Sequence, residues 1–108
     1  MKVLEDEADL QYEIALRKRL LGQPLRDLRI KNDLTQNYVA ETLGYTSAQF
    51  VSNWERGQSS PPVNVIGTLA KLYKVAPAEL IRIFFRFQEE CLKHQQKTLL
   101  KRVKGGKF

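Results

Sequence analysis

Residues 34–57 read LTQNYVAETLGYTSAQFVSNWERG, and the placing of Ala40, Gly44, Val51 and Trp54 in that string decides the fold. Thr35 suits a helix N-cap, its hydroxyl meeting backbone N–H groups left free in the first turn. A helix then runs from Gln36 to Leu43, with Val39, Ala40 and Leu43 facing inward. Gly44 ends it, since a glycine adopts the left-handed conformation of a helix stop at little cost. Thr46 or Ser47 caps a second helix that ends near Glu55. Two short helices joined by so tight a turn must cross closely. Ala40 leaves room at the crossing, while Val51 and Trp54, three residues apart, anchor the second helix inward. Trp54 therefore reads as core.

Outward from this pair the chain reads as helix throughout, with no alternating β-branched run and no hairpin signal. Six helices are predicted. The first spans about Asp6 to Leu21, with Leu10, Ile14, Leu20 and Leu21 as its apolar stripe and Gly22 as its stop. The second runs from about Leu25 to Lys31 and ends at Asn32-Asp33, residues that tolerate turns. After the central pair, Arg56-Gly57-Gln58-Ser59-Ser60-Pro61 is a loop. Pro62 suits the first turn of a fifth helix ending near Tyr73, with Val65, Ile66, Leu69 and Leu72 inward. Pro77 opens a sixth helix of about 25 residues, reaching Val103 before a frayed tail at Gly105–Phe108. The expected organisation is a helical accessory segment at 1–23, a central domain at 24–82, and an extended helix with a basic tail at 83–108.

Length and composition exclude much. The 108 residues suit one domain with one core, and a composition 43% hydrophobic and 28% charged is that of a globular chain. A single Cys (Cys91) and a single His (His94) exclude an internal disulfide and a structural zinc site. His94 sits in a polar Lys93-His94-Gln95-Gln96 stretch, reads as solvent-facing, and supports no Ser-His-Asp arrangement. The Glu5-Asp6-Glu7-Ala8-Asp9 run lacks the spacing and the turn glycine of a calcium loop, and suits the N-terminus of a helix instead. Gly105-Gly106 has no strand before it and no helix after it, so it is no phosphate loop. No catalytic residue, cofactor, metal or small-molecule ligand is expected. The acidic start and the lack of a long apolar run argue against a signal peptide or a membrane span, which makes the cytoplasm, around the nucleoid, the expected location.

The net charge of +6 favours a polyanionic partner. Its distribution is uneven: residues 1–21 carry −1, residues 22–75 carry +2 and residues 76–108 carry +5. The excess lies outside the central pair, so charge alone does not locate a site.

The pair has the helix-turn-helix arrangement, in which the second helix enters the DNA major groove. The string closely resembles the Xre-type helix-turn-helix of phage Cro and lambdoid repressors. Thr35-Gln36, Val39-Ala40, Leu43-Gly44, Thr46/Ser47 and Val51-Ser52-Asn53-Trp54-Glu55-Arg56-Gly57 carry the resemblance, which extends over about residues 24–82. It implies an all-α, lambda-repressor-like five-helix DNA-binding domain, here with an added N-terminal helix and a long C-terminal helix. One departure is that Gly44 to Val51 is about one residue longer than the commonest family spacing. An extra residue at the turn or at the helix start rotates the groove-facing set by about 100°, one helical step. Phe50 is the side chain most affected: it either fills core beside Val51 or lies in the groove against a thymine methyl.

The resemblance implies double-stranded DNA as partner and assigns roles. Gln36 binds a phosphate together with backbone N–H groups. Thr46, Ser47, Ala48, Gln49, Ser52 and Asn53 belong to the DNA-facing segment. Gln49 and Asn53, four apart on one helical face, are the candidates for base reading, since both side chains can bond adenine N6 and N7 together. Arg56, Gln58 and Ser59 follow the helix and meet the DNA backbone. Arg29 and Glu55 form a structural pair. The implied function is a sequence-specific transcriptional regulator, more often a repressor in such families. The alternative is an antitoxin-like or coactivator-type interaction module that keeps the fold.

The last helix carries more apolar surface than one packing face needs. Leu80, Phe84, Phe87 and Cys91 make one stripe, and Ile81, Phe85, Leu92 and Leu99 an adjacent one. Two readings stay open: the N-terminal helix folds back over this surface, or a second copy packs there, the favoured reading being a homodimer through the C-terminal helix. Lys93, Lys97, Lys101, Arg102, Lys104 and Lys107 form a basic arm that is either a solvated face or a source of added phosphate contacts.

Overall fold

A computed structural model describes residues 7–106. The acidic residues through Asp6, expected to open the first helix, and Lys107 of the basic arm lie outside them. Among the described residues every element is helical: α1 (Glu7–Arg17), a π-helical turn (Lys18–Gly22), α2 (Gln23–Lys31), α3 (Gln36–Thr42), α4 (Gln49–Glu55), a 3-10 turn (Val63–Val65), α5 (Ile66–Leu72) and α6 (Pro77–Lys104). The first three join end to end, so the described residues form five helical bodies where the sequence predicts six.

Gly22 does not stop the first helix. Its backbone is helical (φ −63°, ψ −49°), and the chain passes through it into α2. The reason lies in two features that a stop and a through-helix share. Pro24 has no N–H, and its ring clashes with the carbonyl four residues back in a regular α-helix. The π turn directly before it widens the backbone, with the Gln23 N–H reaching back five residues to the Lys18 carbonyl. The apolar stripe needs the same insertion. Leu16 and Leu25 are nine residues apart, which puts them about 180° apart on a regular helix. The extra residue in the π turn resets that angle, and Leu16, Leu20, Leu21 and Leu25 all reach the core.

The core gathers Leu16, Leu20, Leu21 and Leu25 from this rod, Val39 and Ala40 from α3, Val51 and Trp54 from α4, Val65, Ile66, Leu69, Ala70 and Tyr73 from the α5 region, and Leu80, Phe84 and Phe87 from α6. Turns after α2 and α5 are made by Asp33 (φ 56°) and Lys74 (φ 55°). The Asn32 side chain ties these turns together, donating to the Leu28 and Tyr73 carbonyls at 2.7 and 2.9 Å. Pro62 precedes a 3-10 turn, so α5 starts four residues later than the proline suggests.

α6 has 28 residues, about 42 Å at 1.5 Å per residue, and accounts for most of the 51 Å long axis. Its second half is not bare. α1 lies along it, with the Arg17 guanidinium 4.9 Å from the centre of the Phe87 ring and the Tyr12 ring stacked on His94 at 3.9 Å. Asp9 faces basic groups on both sides, its Oδ1 lying 3.2 Å from His94 Nε2 and its Oδ2 ion-paired with Arg102 Nη2 at 3.8 Å. The expectation of a solvent-facing His94 is thus corrected. The N-terminal helix folds back over the Phe84/Phe87/Cys91 stripe, and the ring is held between Tyr12 and Asp9.

Candidate nucleic-acid interface

α3 begins as its sequence requires: Thr35 is extended (φ −86°, ψ 158°) and its hydroxyl accepts from the Tyr38 N–H at 3.0 Å. The helix ends at Gly44, whose φ of +86° lets the Tyr45 N–H turn back to the Ala40 carbonyl at 2.9 Å. Residues 45–48 then form an irregular turn, and α4 starts at Gln49 with Ala48 as its N-cap residue. Neither Thr46 nor Ser47 occupies the cap position. Ser47 Oγ accepts from the Gln49 N–H at 3.3 Å, two residues on, as in a serine turn. The segment between Gly44 and α4 is thus an irregular turn, and α4 enters with Val51 and Trp54 facing inward.

The inward face of α4 fixes the outward one. Val51, Trp54 and Glu55 are buried, and the opposite side carries Gln49, Ser52, Asn53 and Arg56. These four bond to one another. Gln49 Nε2 donates to Asn53 Oδ1 at 2.8 Å, Arg56 Nη2 donates to the same oxygen at 2.6 Å, and Arg56 Nε donates to Ser52 Oγ at 3.3 Å. The result is a polar comb of mutually bonded side chains, open to solvent at Gln49 and Arg56. Thr46 and Ser47 are exposed on the preceding turn, Ala48 is half-buried, Gln58 is exposed and Ser59 is half-buried on the following loop. Phe50 does not fill core beside Val51: it is 52% exposed, with its ring centre 4.8 Å from that of Tyr45.

Behind the comb sits a buried carboxylate, Glu55, at 5% exposure. Arg29 grips it with two hydrogen bonds, Nε to Oε2 at 2.7 Å and Nη2 to Oε1 at 3.0 Å. A third bond goes from Arg29 Nη1 to the Leu34 carbonyl at 2.8 Å. Hydrogen bonding to Glu55 raises the Arg29 pKa above its ordinary value against the opposing effect of burial. Burial, reinforced by the Glu55 charge, also pushes the Tyr73 phenol well up, so it stays neutral. Gln36 Nε2 donates to Glu55 Oε1 at 3.0 Å. The residue expected to bind a phosphate thus also braces α3 against the end of α4, and one N–H of its amide remains for a ligand.

Two contacts at the end of α4 have no counterpart in the sequence reading. Gly22 lies against the last turn of α4: a Cβ there would stand 2.5 Å from the Glu55 carbonyl oxygen and 2.7 Å from that of Trp54. Gly57 lies against the rod: a Cβ there would stand 2.6 Å from the Ile14 carbonyl oxygen and from the Lys18 N. Arg17 Nη1 closes the junction by donating to the Gly57 carbonyl at 2.9 Å. The available signal was the pair of glycines, but the sequence offers a turn reading for each.

In the basic arm, Lys93 pairs with Glu90 at 3.3 Å and Arg102 faces Asp9. No group of three or more His, Cys, Asp or Glu that could hold a metal occurs among the described residues. No described helix is long and apolar enough to cross a membrane.

Comparison with known proteins places this geometry. A family model described as helix-turn-helix (HTH_3) matches residues 25–80, just over half of the chain. The cryptic phage CTXphi transcriptional repressor RstR of Vibrio cholerae is 36% identical over 62 residues, which is 57% of this chain and 55% of that protein. The chain thus spans about half the length of this curated relative. No solved structure matches it.

Proposed function

The chain belongs to the HTH_3 helix-turn-helix family, and from that premise we propose that it is a sequence-specific transcriptional regulator, a repressor, that reads the DNA major groove with α4. The observation that carries this reading is the outward comb of Gln49, Ser52, Asn53 and Arg56 on a helix whose other side is locked by Val51, Trp54 and Glu55. Gln49 and Asn53 read base edges. Gln36, Thr46, Ser47, Ala48, Arg56, Gln58 and Ser59 set the helix against the backbone and the groove walls. Occupied promoter DNA then excludes polymerase. The similarity to a phage transcriptional repressor supports the sign of regulation.

A selection from random duplexes identifies the bound site, and Gln49→Ala with Asn53→Ala then tests the reading. A bidentate contact discriminates by about 1–3 kcal/mol, so the ratio of specific to random affinity should fall by about tenfold or more. An unchanged ratio removes base reading by these two residues.

The same reading includes a homodimer. α1 covers one apolar stripe of α6 and leaves the second in solvent: Phe85, Leu92 and Leu99, seven residues apart, are 56%, 55% and 40% exposed. That repeat supplies one apolar position per heptad along the exposed side of α6, a line on which a second copy could pack. The charge favours antiparallel pairing. Residues 93–104 carry five basic and no acidic residues, while residues 77–92 carry two basic and three acidic ones. A parallel pair sets +5 beside +5, and an antiparallel pair sets +5 beside −1. Two-fold symmetry then offers one recognition helix to each half of a palindromic site. Sedimentation should show a dimer at micromolar concentration that Leu92→Lys converts to monomer. Monomer alone in the parent protein removes the proposal.

A further inference from the structure

We propose that Phe50 is a specificity-determining residue that reads a thymine by its 5-methyl group, next to the bases read by Gln49 and Asn53. The inference rests on α4 being the recognition helix and names what one more side chain of that helix recognises.

Phe50 is the one apolar residue of α4 left in solvent; the other two, Val51 and Trp54, are 1% and 2% exposed. The core is closed beneath it without its help. One residue before Val51, it stands about 100° round the helix from the inward anchor. That places it on the shoulder between the buried side and the polar comb. It is also in the first turn of α4, and the N-terminal residues of such helices meet base edges. Its ring is backed by Tyr45 from the turn, and Tyr45 packs edge-on against the buried Trp54 at 5.9 Å between centres. The aromatic surface is therefore supported from the core through two rings. Phe50 has no polar atom to offer a phosphate or a base edge. The thymine methyl is the one apolar group that base pairs present in the major groove. An apolar surface backed by Tyr45 beside Gln49 has that group as its chemical complement.

The test uses the full chain and the duplex selected above. Each thymine of the site is replaced singly by deoxyuridine, which deletes the methyl and leaves pairing intact. Burial of one such carbon is worth about 0.8 kcal/mol, about fourfold in affinity. One thymine per half-site should show that loss with the parent protein. Phe50→Ala should bind more weakly and show no further loss at that position. Phe50→Leu, which keeps an apolar surface and the fold, should retain the methyl discrimination. An equal methyl effect in the parent and in Phe50→Ala overturns the proposal, as does the absence of any methyl effect in the parent. Either result leaves site-specific binding by α4 standing. Failure of the random pool to yield any retained sequence overturns site reading by α4 as a whole, Phe50 included.

Discussion

Replacing Glu55 by alanine is expected to lower stability by about 3–5 kcal/mol, the cost of breaking a buried pair by removing one partner. The magnitude follows from what is left behind. The side chains of Arg29 and Glu55 are 12% and 3% exposed, so solvent screens the pair weakly. Without the carboxylate, the Arg29 guanidinium keeps its hydrogen bond to the Leu34 carbonyl but loses both bonds to a charged acceptor, and Gln36 loses its partner. For a chain of about 100 residues each kcal/mol shifts Tm by about 4–8 °C, so thermal melting should fall by 12 °C or more. The control is the double replacement Arg29→Met with Glu55→Met. It removes both charges together, and should recover a large part of the loss. If Glu55→Ala melts within about 2 °C of the parent, the carboxylate is not the clamp between α2, α3 and α4 that its geometry indicates.

Gly57→Ala carries the second large effect. Its φ of +78° costs a side-chain-bearing residue about 1–2 kcal/mol. The added Cβ would also meet the backbone of the rod at 2.6 Å. Overpacking of that kind costs about 1–3 kcal/mol, and backbone atoms in a helix have little freedom to yield. Destabilisation of about 2–5 kcal/mol in chemical denaturation is expected. Gly67→Ala is the informative contrast: a Cβ there meets nothing within 4 Å, so in α5 it should stabilise by up to about 1 kcal/mol through helix propensity. If Gly57→Ala were as harmless as Gly67→Ala, the close seating of the α4 end on the N-terminal rod would be wrong.

The two glycine contacts show where sequence reasoning loses its grip. Gly22 and Gly57 each admit two meanings, a turn or a close approach of two backbones, because a residue without a side chain leaves no mark of its neighbours. Gly57 is both, with positive φ and a helix pressed against it. Gly22 is the second only, and the turn reading split a continuous rod in two. His94 departs from its sequence expectation for a related reason. Its neighbours in sequence are polar, but its partners, Tyr12 and Asp9, lie 82 and 85 positions away. α4 starts one or two residues later than Thr46 or Ser47 as a cap would place it, because Ser47 turns its hydroxyl to the Gln49 N–H in the preceding turn and Ala48 takes the cap position.

What residues within four or five positions of one another control was legible in the chain. That includes the Thr35 cap, the left-handed Gly44, the inward spacing of Val51 and Trp54, and the opening of α6 at Pro77. Such features arise from backbone sterics, hydrogen bonds and side-chain spacing within a turn or two, and they suffice to place α3 and α4 in the chain. The Arg29–Glu55 pair, 26 positions apart, was reached through resemblance to a family and not through local rules. Long-range packing chose the rest: the unbroken rod through its π turn, the docking of α1 along α6, and the half-exposed stance of Phe50. Each helix marks its apolar face in its own spacing, but nothing in that spacing says which distant face will cover it, and that choice is made by the surfaces that meet once the chain has folded.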